Sequence, residues 1–302
     1  MNSKARLKIT QTIFYSVLTS YILAATEPTV SGARPFAMGG LSTATGDVHT
    51  ALNHPALTAW MKDPAWAISA VKPFLQAQWH MFSTVIVYPH AKAGAFSLSG
   101  NFSGTSFFHR AQISLGYARS VLPNLSLGIR FDYTQLFMQE YGIKRMYNPH
   151  LSLSYKAFRF LHFAMGVHQP IPYTLHNSTN EKTTPSLYLG ITYHSGEKVT
   201  VGLEYVQGIR QKPNIKVGVE YSPITYLSIQ VGYNSIGHRI SWGVTVYWKK
   251  IELQTACSWQ PNTGFSPALS IVFPFRFKKS PRHDHPAPHR HSPIPRIVPG
   301  TK

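Results

Sequence analysis

Apolar residues alternate with small or polar residues along most of this chain, in segments of eight or more positions. In one segment, Leu187, Leu189, Ile191 and Tyr193 alternate with positions that include Ser186, Gly190, Thr192 and His194. Because successive side chains of a strand point to opposite faces, each segment predicts a strand with one apolar face. Aromatic residues often end the apolar rows, as Trp248 does. This pattern is typical of a transmembrane β-barrel with aromatic belts at the membrane interfaces.

About fourteen segments follow this rule, and no helix of ordinary length interrupts them. The predicted strands span 65–71, 81–88, 93–102, 111–119, 125–135, 148–157, 161–168, 185–194, 198–207, 214–222, 226–234, 240–248, 251–259 and 267–277. Outer-membrane barrels of bacteria have even numbers of strands of about this length. The chain is therefore predicted to be all-β, with an antiparallel transmembrane β-barrel of about 14 strands over residues 65–277.

The links between these strands differ in length according to their position. Links after even-numbered strands are short, as at 122–124, 195–197 and 249–250, and longer links follow odd-numbered strands, above all 136–147 and 169–184. Barrels with both termini in the periplasm have short periplasmic turns and longer outer loops. The pattern predicts a location in the bacterial outer membrane with both termini periplasmic.

The two ends of the chain differ in composition from the barrel. Residues 1–25 resemble a signal peptide, with three cations before an apolar stretch. Residues 26–64 lack alternation and are too apolar to float free, which predicts an N-terminal hatch in the barrel lumen. Residues 278–302 are rich in Pro, His and Arg and predict a disordered periplasmic tail. Glycines recur on the inward face, either to make room for such a plug or to allow curvature.

The content and distribution of charged residues limit which kinds of binding partner the protein can have. Only 13% of the residues are charged, against roughly 25% in soluble domains. The net charge of +18 would suit a nucleic-acid binder, but the cations are scattered and form no basic helix or stripe. We therefore expect that the protein does not bind nucleic acid, and we predict the lipid bilayer and lipopolysaccharide as its partners. A soluble basic β-protein is the alternative, and it would stay in solution without detergent.

Two short motifs before the first strand carry a family resemblance. The first is Gly-Ala-Arg-Pro-Phe-Ala-Met-Gly-Gly at 32–40, and the second is Asn-His-Pro-Ala-Leu at 53–57. Together they resemble the hatch of the FadL-like outer-membrane family, which includes long-chain fatty-acid transporters and the PorV/PorQ proteins of the type IX secretion system. The candidate hatch residues are Arg34, Met38, Gly39, Gly40, Asn53, His54, Pro55, Ala56 and Leu57. His54 departs from the family, which has Asn directly before this proline.

The resemblance implies an outer-membrane channel for a hydrophobic or amphipathic small-molecule ligand, gated by the hatch. It also implies a lateral exit at a kink in the third strand, where Gly100, Asn101 and Gly104 are the candidate residues. An ordinary strand end running into a loop explains these residues as well. The alternative function is a PorV/PorQ-like platform that docks secretion-system proteins and transports nothing.

The sequence contains no convincing motif for a catalytic, cofactor or metal site. Its candidate residues are explained better by structural roles. The predicted inward charges are Asp132, Glu204, Glu220 and Glu252 together with Arg130, Lys156, Lys216 and Arg276. A barrel interior is polar, so ion pairs between neighbouring strands account for these residues. We predict that the protein is not an enzyme.

Overall fold

The structure is a computed structural model that describes residues 32–275, except 44–45, 77, 91, 140–141, 171–173, 177–180, 183–184, 197, 210–211 and 262. The predicted signal peptide, hatch residues 26–31, Arg276 and the predicted tail lie outside the described residues.

Fourteen antiparallel strands close into one barrel, as the alternation predicts. They are β1 Ala65–Val71, β2 His80–His90, β3 Gly94–Gly104, β4 Phe108–Leu122, β5 Leu125–Met138, β6 Gly142–Phe158, β7 Leu161–His168, β10 Ser186–Ser195, β11 Val199–Gly208, β12 Asn214–Ile224, β13 Leu227–Asn234, β14 Arg239–Trp248, β15 Ile251–Gln260 and β16 Gly264–Pro274. Each strand pairs with the next barrel strand in sequence, and β1 pairs with β16 to close the ring. Two short strands, β8 Thr174–His176 and β9 Glu181–Lys182, form a separate hairpin between β7 and β10.

The outside of the barrel is apolar and the inside is polar. Outward side chains such as Leu115 and Phe131 are 62% and 58% exposed, whereas inward Ser126 and Gln254 are buried. A soluble protein does not expose apolar surface all around itself, because apolar surface in contact with water is unfavourable. Hydrocarbon chains of a bilayer are the solvent that suits this surface, so the barrel spans a membrane. Within the described part of the chain, none of the helices is long and apolar enough to cross a membrane.

The two ends of the barrel differ in their connections. At one end, which we call the short-turn end, two or three residues join β2 to β3, β4 to β5, β6 to β7 and the later strand pairs. At the other end, which we call the loop end, the links include the long connection from β7 to β10. The short-turn end agrees with the expectation from the sequence, but the loop end agrees only in part, because the links from β3 to β4, from β5 to β6 and from β15 to β16 are also only three residues long.

One predicted loop is largely strand. The chain was expected to leave the barrel over 136–147, but β5 continues to Met138 and β6 begins at Gly142. The alternation persists through this region, since Leu136 and Met146 are buried inside while Tyr147 is exposed outside. The charged pair Lys144 and Arg145 concealed this continuation in the sequence. β5 and β6 therefore form a hairpin that extends the wall at the loop end.

The described part of the hatch fills the lumen without forming strands. It comprises helix α1 Ala33–Ala37, helix α2 Thr50–Asn53 and a 3₁₀ helix Pro55–Trp60 that leads into β1. The first helix contacts β13 to β16 and β1, and the 3₁₀ helix contacts β2 to β6. The side chains of Ala33, Met38, Leu41 and His54 are completely buried. The hatch thus lies against most of the inner wall.

Candidate functional site

The candidate site is the seat of the hatch on the inner wall, and its first contact is made by Arg34 of α1. The Nη2 and Nε atoms of Arg34 donate to Oε2 of Glu220 on β12, at 2.7 and 3.1 Å. Nη1 lies 4.0 Å from Oδ2 of Asp47 in the hatch. Burial alone would lower the pKa of the Arg34 guanidinium, but Glu220, Tyr247 and Asp47 together outweigh it and hold the pKa above its ordinary value. Arg34 therefore remains charged and joins the hatch to the wall.

The Met38-Gly39-Gly40 segment lies on glycines of the wall. A Cβ atom added at Gly218 on β12 would fall 2.6 Å from the carbonyl oxygen of Met38, and one added at Gly232 on β13 would overlap the backbone of Met38 and Gly39. Gly39 itself has a φ of 76°, a conformation that favours glycine. These two inward glycines therefore make room for the plug, whereas an added Cβ at Gly116 or Gly166 would meet Ser97 or Tyr188 of the wall itself.

The next segment of the hatch is anchored on a buried ion pair. Glu204 on β11 lies 3.0 Å from Nζ of Lys216 on β12. The same carboxylate accepts hydrogen bonds from the backbone N–H and the hydroxyl of Ser42, both at 2.7 Å. Lys216 also donates to the carbonyl oxygen of Gly40 at 3.0 Å. The two charged residues thus satisfy each other and hold the hatch backbone between them.

The Asn-His-Pro-Ala-Leu segment is seated on the opposite side of the lumen. Its residues 53–57 are all buried. The N–H of Ala56 donates to Oγ of Ser152 on β6, and its carbonyl oxygen accepts from Ser126 on β5, both at 2.9 Å. A Cβ atom at Gly128 on β5 would overlap the backbone of Ala56. This segment therefore approaches the wall as closely as the Met38-Gly39-Gly40 segment does.

A column of polar and aromatic rings runs from the wall to His54. Arg130 forms an ion pair with Asp132, at 2.7 Å between Nε and Oδ1, and Arg130 also donates to the carbonyl oxygen of Leu52 in the hatch. Nε2 of His150 lies 2.6 Å from the second oxygen of Asp132. The ring contacts continue the column: His150 meets His168 edge-on at 4.7 Å between centroids, His168 stacks on Tyr188 at 4.4 Å, and Tyr188 meets His54 edge-on at 5.3 Å. His54 therefore packs against an aromatic ring of the wall.

The remaining predicted residues are more dispersed. Lys156 on β6 places its Nζ 3.9 Å from the centroid of the Trp60 ring, where the hatch ends. Glu252 faces inward on β15 and is only partly buried. The structure therefore brings five of the predicted inward charges into contact with the hatch, namely Arg130, Lys156, Glu204, Lys216 and Glu220, and a sixth, Asp132, pairs with Arg130. In the described residues, no group of three or more His, Cys, Asp or Glu side chains is arranged to hold a metal ion.

The wall is continuous at the third strand. All eleven residues of β3 pair with β2, and those from Ala95 to Gly104 also pair with β4 without a shift in register. Gly100 lies in open packing, with Thr84 Cγ2 3.7 Å from an added Cβ atom. Asn101 faces inward opposite Ser83 and Gln112, and Gly104 ends the strand with a φ of 142°. The three residues thus lie in a closed part of the sheet.

Several residues that hold the hatch were missed in the sequence. Ser241 on β14 accepts from the N–H of Gly39 and donates to Ala37, both at 3.0 Å, and Ser270 on β16 accepts from the N–H of Ala33 at 2.7 Å. Asn234 on β13 donates to the carbonyl oxygen of Gly39 at 3.3 Å. Polar residues are expected at every inward position, so their type alone does not single them out. Only Ser241 has a further signal, because it lies directly across from the inward Gly232 on the neighbouring strand.

The buried His54 predicts a pH-dependent hatch. Burial lowers the pKa of its imidazole to about 4, although Glu204 opposes the shift. An exposed histidine titrates near 6.5, so the unseated hatch takes up a proton first. The closed state therefore keeps its full stability above pH 6.5 and loses up to about 3 kcal/mol as the pH falls towards 4.

We expect protease digestion of the hatch in the detergent-solubilised barrel to accelerate over this range. In a His54→Asn variant the acceleration should be smaller. The variant comparison is needed because buried His49, His150 and His168 can also contribute to the pH dependence. An unchanged pH profile in the variant would contradict the assignment to His54.

Comparison with solved structures finds the same fold in outer-membrane channels. The P. putida toluene transporter TodX superposes with a TM-score of 0.63 at 11% sequence identity, over 83% of this chain and 100% of that chain. The CymD monoaromatic hydrocarbon channel gives a TM-score of 0.62 at 11% identity, over 82% of this chain and 98% of that one. A Pseudomonas aeruginosa FadL homologue gives 0.61 at 10% identity, also over 82% and 98%.

Sequence comparison alone gives no family, since no family model and no curated protein matches this chain. At sequence identities of 10–11%, the likeness to these structures establishes the fold of this chain but not its activity. The closed barrel of fourteen strands nonetheless agrees with the architecture of these structures over four fifths of the chain. This chain therefore has the fold of the FadL-like outer-membrane barrels.

Proposed function

We propose that this protein is an outer-membrane channel for hydrophobic or amphipathic small molecules, and that the hatch must leave its seat before they pass. The observation that carries the proposal is a membrane-spanning barrel whose lumen is filled by a segment held entirely by non-covalent contacts. Such a plug can be displaced, whereas a wall of strands cannot be without unfolding. The fold likeness to structures described as a toluene transporter and a monoaromatic hydrocarbon channel supports an apolar cargo.

The proposal includes the topology expected from the sequence. The short-turn end would face the periplasm, together with both termini, and residues 1–25 would be removed as a signal peptide. The barrel wall would contact the bilayer and, at the loop end, lipopolysaccharide. This function requires neither a cofactor nor a catalytic residue, and it is not that of an enzyme.

A lateral exit at β3 would require strands to separate, because β3 is paired on both sides. The inward pair Asn101 and Gln112 lies across the β3–β4 ladder and allows this to be tested. In a background without Cys257, a disulfide between Asn101→Cys and Gln112→Cys would hold the two strands together. If cargo leaves through this ladder, oxidation should reduce transport and reduction should restore it. Equal transport in both states would exclude the exit at this position.

Transport is tested with purified protein in liposomes. The full mature chain and a chain lacking residues 26–60 are compared for efflux of toluene, of decanoate and of sucrose. We expect the full chain to favour the first two over sucrose, and the deleted chain to release all three faster. Equal rates in the two chains would contradict gating by the hatch, and equal rates for decanoate and sucrose in the full chain would contradict an apolar cargo.

The PorV/PorQ-like alternative makes a different prediction. A docking platform would transport none of these solutes and would retain secreted surface proteins when purified from cells. The long connection from β7 to β10, which would contribute to such a platform, lies mostly outside the described residues. The liposome assay and a pull-down on the same preparation therefore separate the two functions.

A further inference from the structure

Two neighbouring turns at the short-turn end are irregular. The register between β4 and β5 shifts between Ser120 and Leu122, and that between β6 and β7 shifts between Lys156 and Phe158. A bulge places an extra residue in one strand and redirects the side chains around it. The two bulged turns lie side by side, because Lys156 donates its backbone N–H to the carbonyl oxygen of Asn124 at 2.8 Å. They therefore shape one region of the barrel rim.

A cleft of about 500 Å³ opens between these turns. Its lining consists of Asn124, Lys156, Ala157, Phe158, Arg159 and His162. The volume falls within the range of small-molecule sites in proteins, which is roughly 300–1,000 Å³. Every charged or titratable side chain in this lining is basic. A phosphate or carboxylate group is the ligand chemistry that such a lining favours.

The cationic groups occupy different depths of the cleft. Arg159 is exposed on the turn itself. Lys156 points towards the lumen, where its Nζ rests over the ring of Trp60. His162 lies on β7 directly across from Lys156 and contacts the ring of His194 edge-on, at 4.9 Å between centroids. An anion in the cleft can therefore meet the guanidinium from outside and the ammonium from inside.

The outer lip of the cleft is aromatic and faces the membrane. Phe158 and Phe160 stack at 5.4 Å, and Phe160 meets Tyr193 edge-on at 5.9 Å. All three are exposed on the outside of the barrel. Rows of exposed aromatic residues mark the depth of lipid headgroups on membrane barrels. The cationic cleft thus opens at headgroup depth, next to the surface that acyl chains would cover.

We propose that this cleft binds the phosphodiester headgroup of an anionic phospholipid, with Arg159 and Lys156 as its charged partners. The aromatic lip fits the upper acyl chains, which a soluble phosphate lacks. An anionic headgroup suits the cleft better than a zwitterionic one, because the lining provides no carboxylate to pair with a choline or an amine. The assignment to the periplasmic leaflet rests on the topology given under the proposed function, whereas the binding itself does not.

The experiment measures lipid retention by native mass spectrometry of the purified barrel in detergent. The protein is equilibrated with equal amounts of phosphatidylglycerol and phosphatidylcholine that carry the same acyl chains. We expect preferential retention of phosphatidylglycerol, reduced about 30-fold in a Lys156→Gln/Arg159→Gln variant, since each cation near an anionic lipid contributes about fivefold. The matched control is Lys249→Gln/Lys250→Gln, which removes two cations from the short turn between β14 and β15.

Each outcome decides the proposal. Equal retention of both lipids by the unaltered protein, or an equal loss in the control variant, would overturn it. Displacement of the lipid by millimolar glycerol 3-phosphate would show a soluble-phosphate site and would overturn the lipid assignment as well. Should the double variant fail to fold, the exposed Arg159→Gln variant alone is expected to lose about fivefold. No step measures transport, so a failure here leaves the proposed channel function standing.

Discussion

Replacing Gly232 with alanine is expected to unseat the hatch and leave the barrel open. The new methyl group would overlap the backbone of Met38 and Gly39, and backbone atoms cannot rotate away as a side chain can. Overpacking of a buried site typically costs about 1–3 kcal/mol, and backbone on the receiving side favours the upper end of this range. We therefore expect the closed state to lose about 3 kcal/mol, which shifts the hatch equilibrium towards the open state by about 100-fold.

The measurement is solute efflux from liposomes together with protease digestion of the hatch. Both should accelerate in Gly232→Ala, while the barrel keeps its resistance to detergent unfolding. Gly100→Ala is the matched control, because its added Cβ would meet nothing closer than 3.7 Å. If Gly232→Ala behaves like Gly100→Ala, the hatch is not seated against β13 as described.

Removal of Glu204 alone is expected to destabilise the closed hatch strongly. In Glu204→Leu, Ser42 loses its acceptor and Lys216 keeps a buried charge without a carboxylate. Breaking a buried pair in this way costs about 3–5 kcal/mol. Hydrogen exchange of the hatch amides, which reports the free energy of local opening, should accelerate accordingly.

The double variant Glu204→Leu/Lys216→Met separates the buried charge from the lost hydrogen bonds. Replacing both partners of a buried pair with apolar residues of similar volume is often close to neutral. We expect the double variant to recover much of the loss, leaving the cost of the contacts to Ser42 and Gly40. If the double variant opens faster than Glu204→Leu, the stranded charge of Lys216 is not the source of the instability.

The barrel was predictable because its wall is a single sheet. Alternate residues of each strand face the lipid and the lumen, so the sequence alternates between apolar and polar residues. Strands β1 and β7 begin and end where the alternation does, at 65–71 and 161–168. The extension of β5 and β6 into 136–147 was missed because the period-two pattern passes through Lys144 and Arg145, which resemble loop residues until their neighbours are placed inside or outside. The hairpin of β8 and β9 has strands of three and two residues, too short to show alternation.

The candidate site was predictable in its residue types and much less in its pairings. Glu204 and Lys216 could be placed inside the barrel from their strands, but not beneath Ser42, because the hatch has no period that fixes its position. His150, His168 and Tyr188 had no distinguishing pattern either. They lie on three strands, and only the closed barrel brings their rings into contact. Long-range contacts of this kind are a property of the folded wall.

The first helix of the hatch has its partners at the far end of the chain. Ala33 donates to Ser270, 237 residues later, and Gly39 to Ser241, 202 residues later. Contacts so distant in sequence are slow to form, because the intervening chain must first be organised. We therefore expect α1 to dock late in assembly, after the last strands are in place, whereas the 3₁₀ helix can already meet its partners on the early strands β2 to β6.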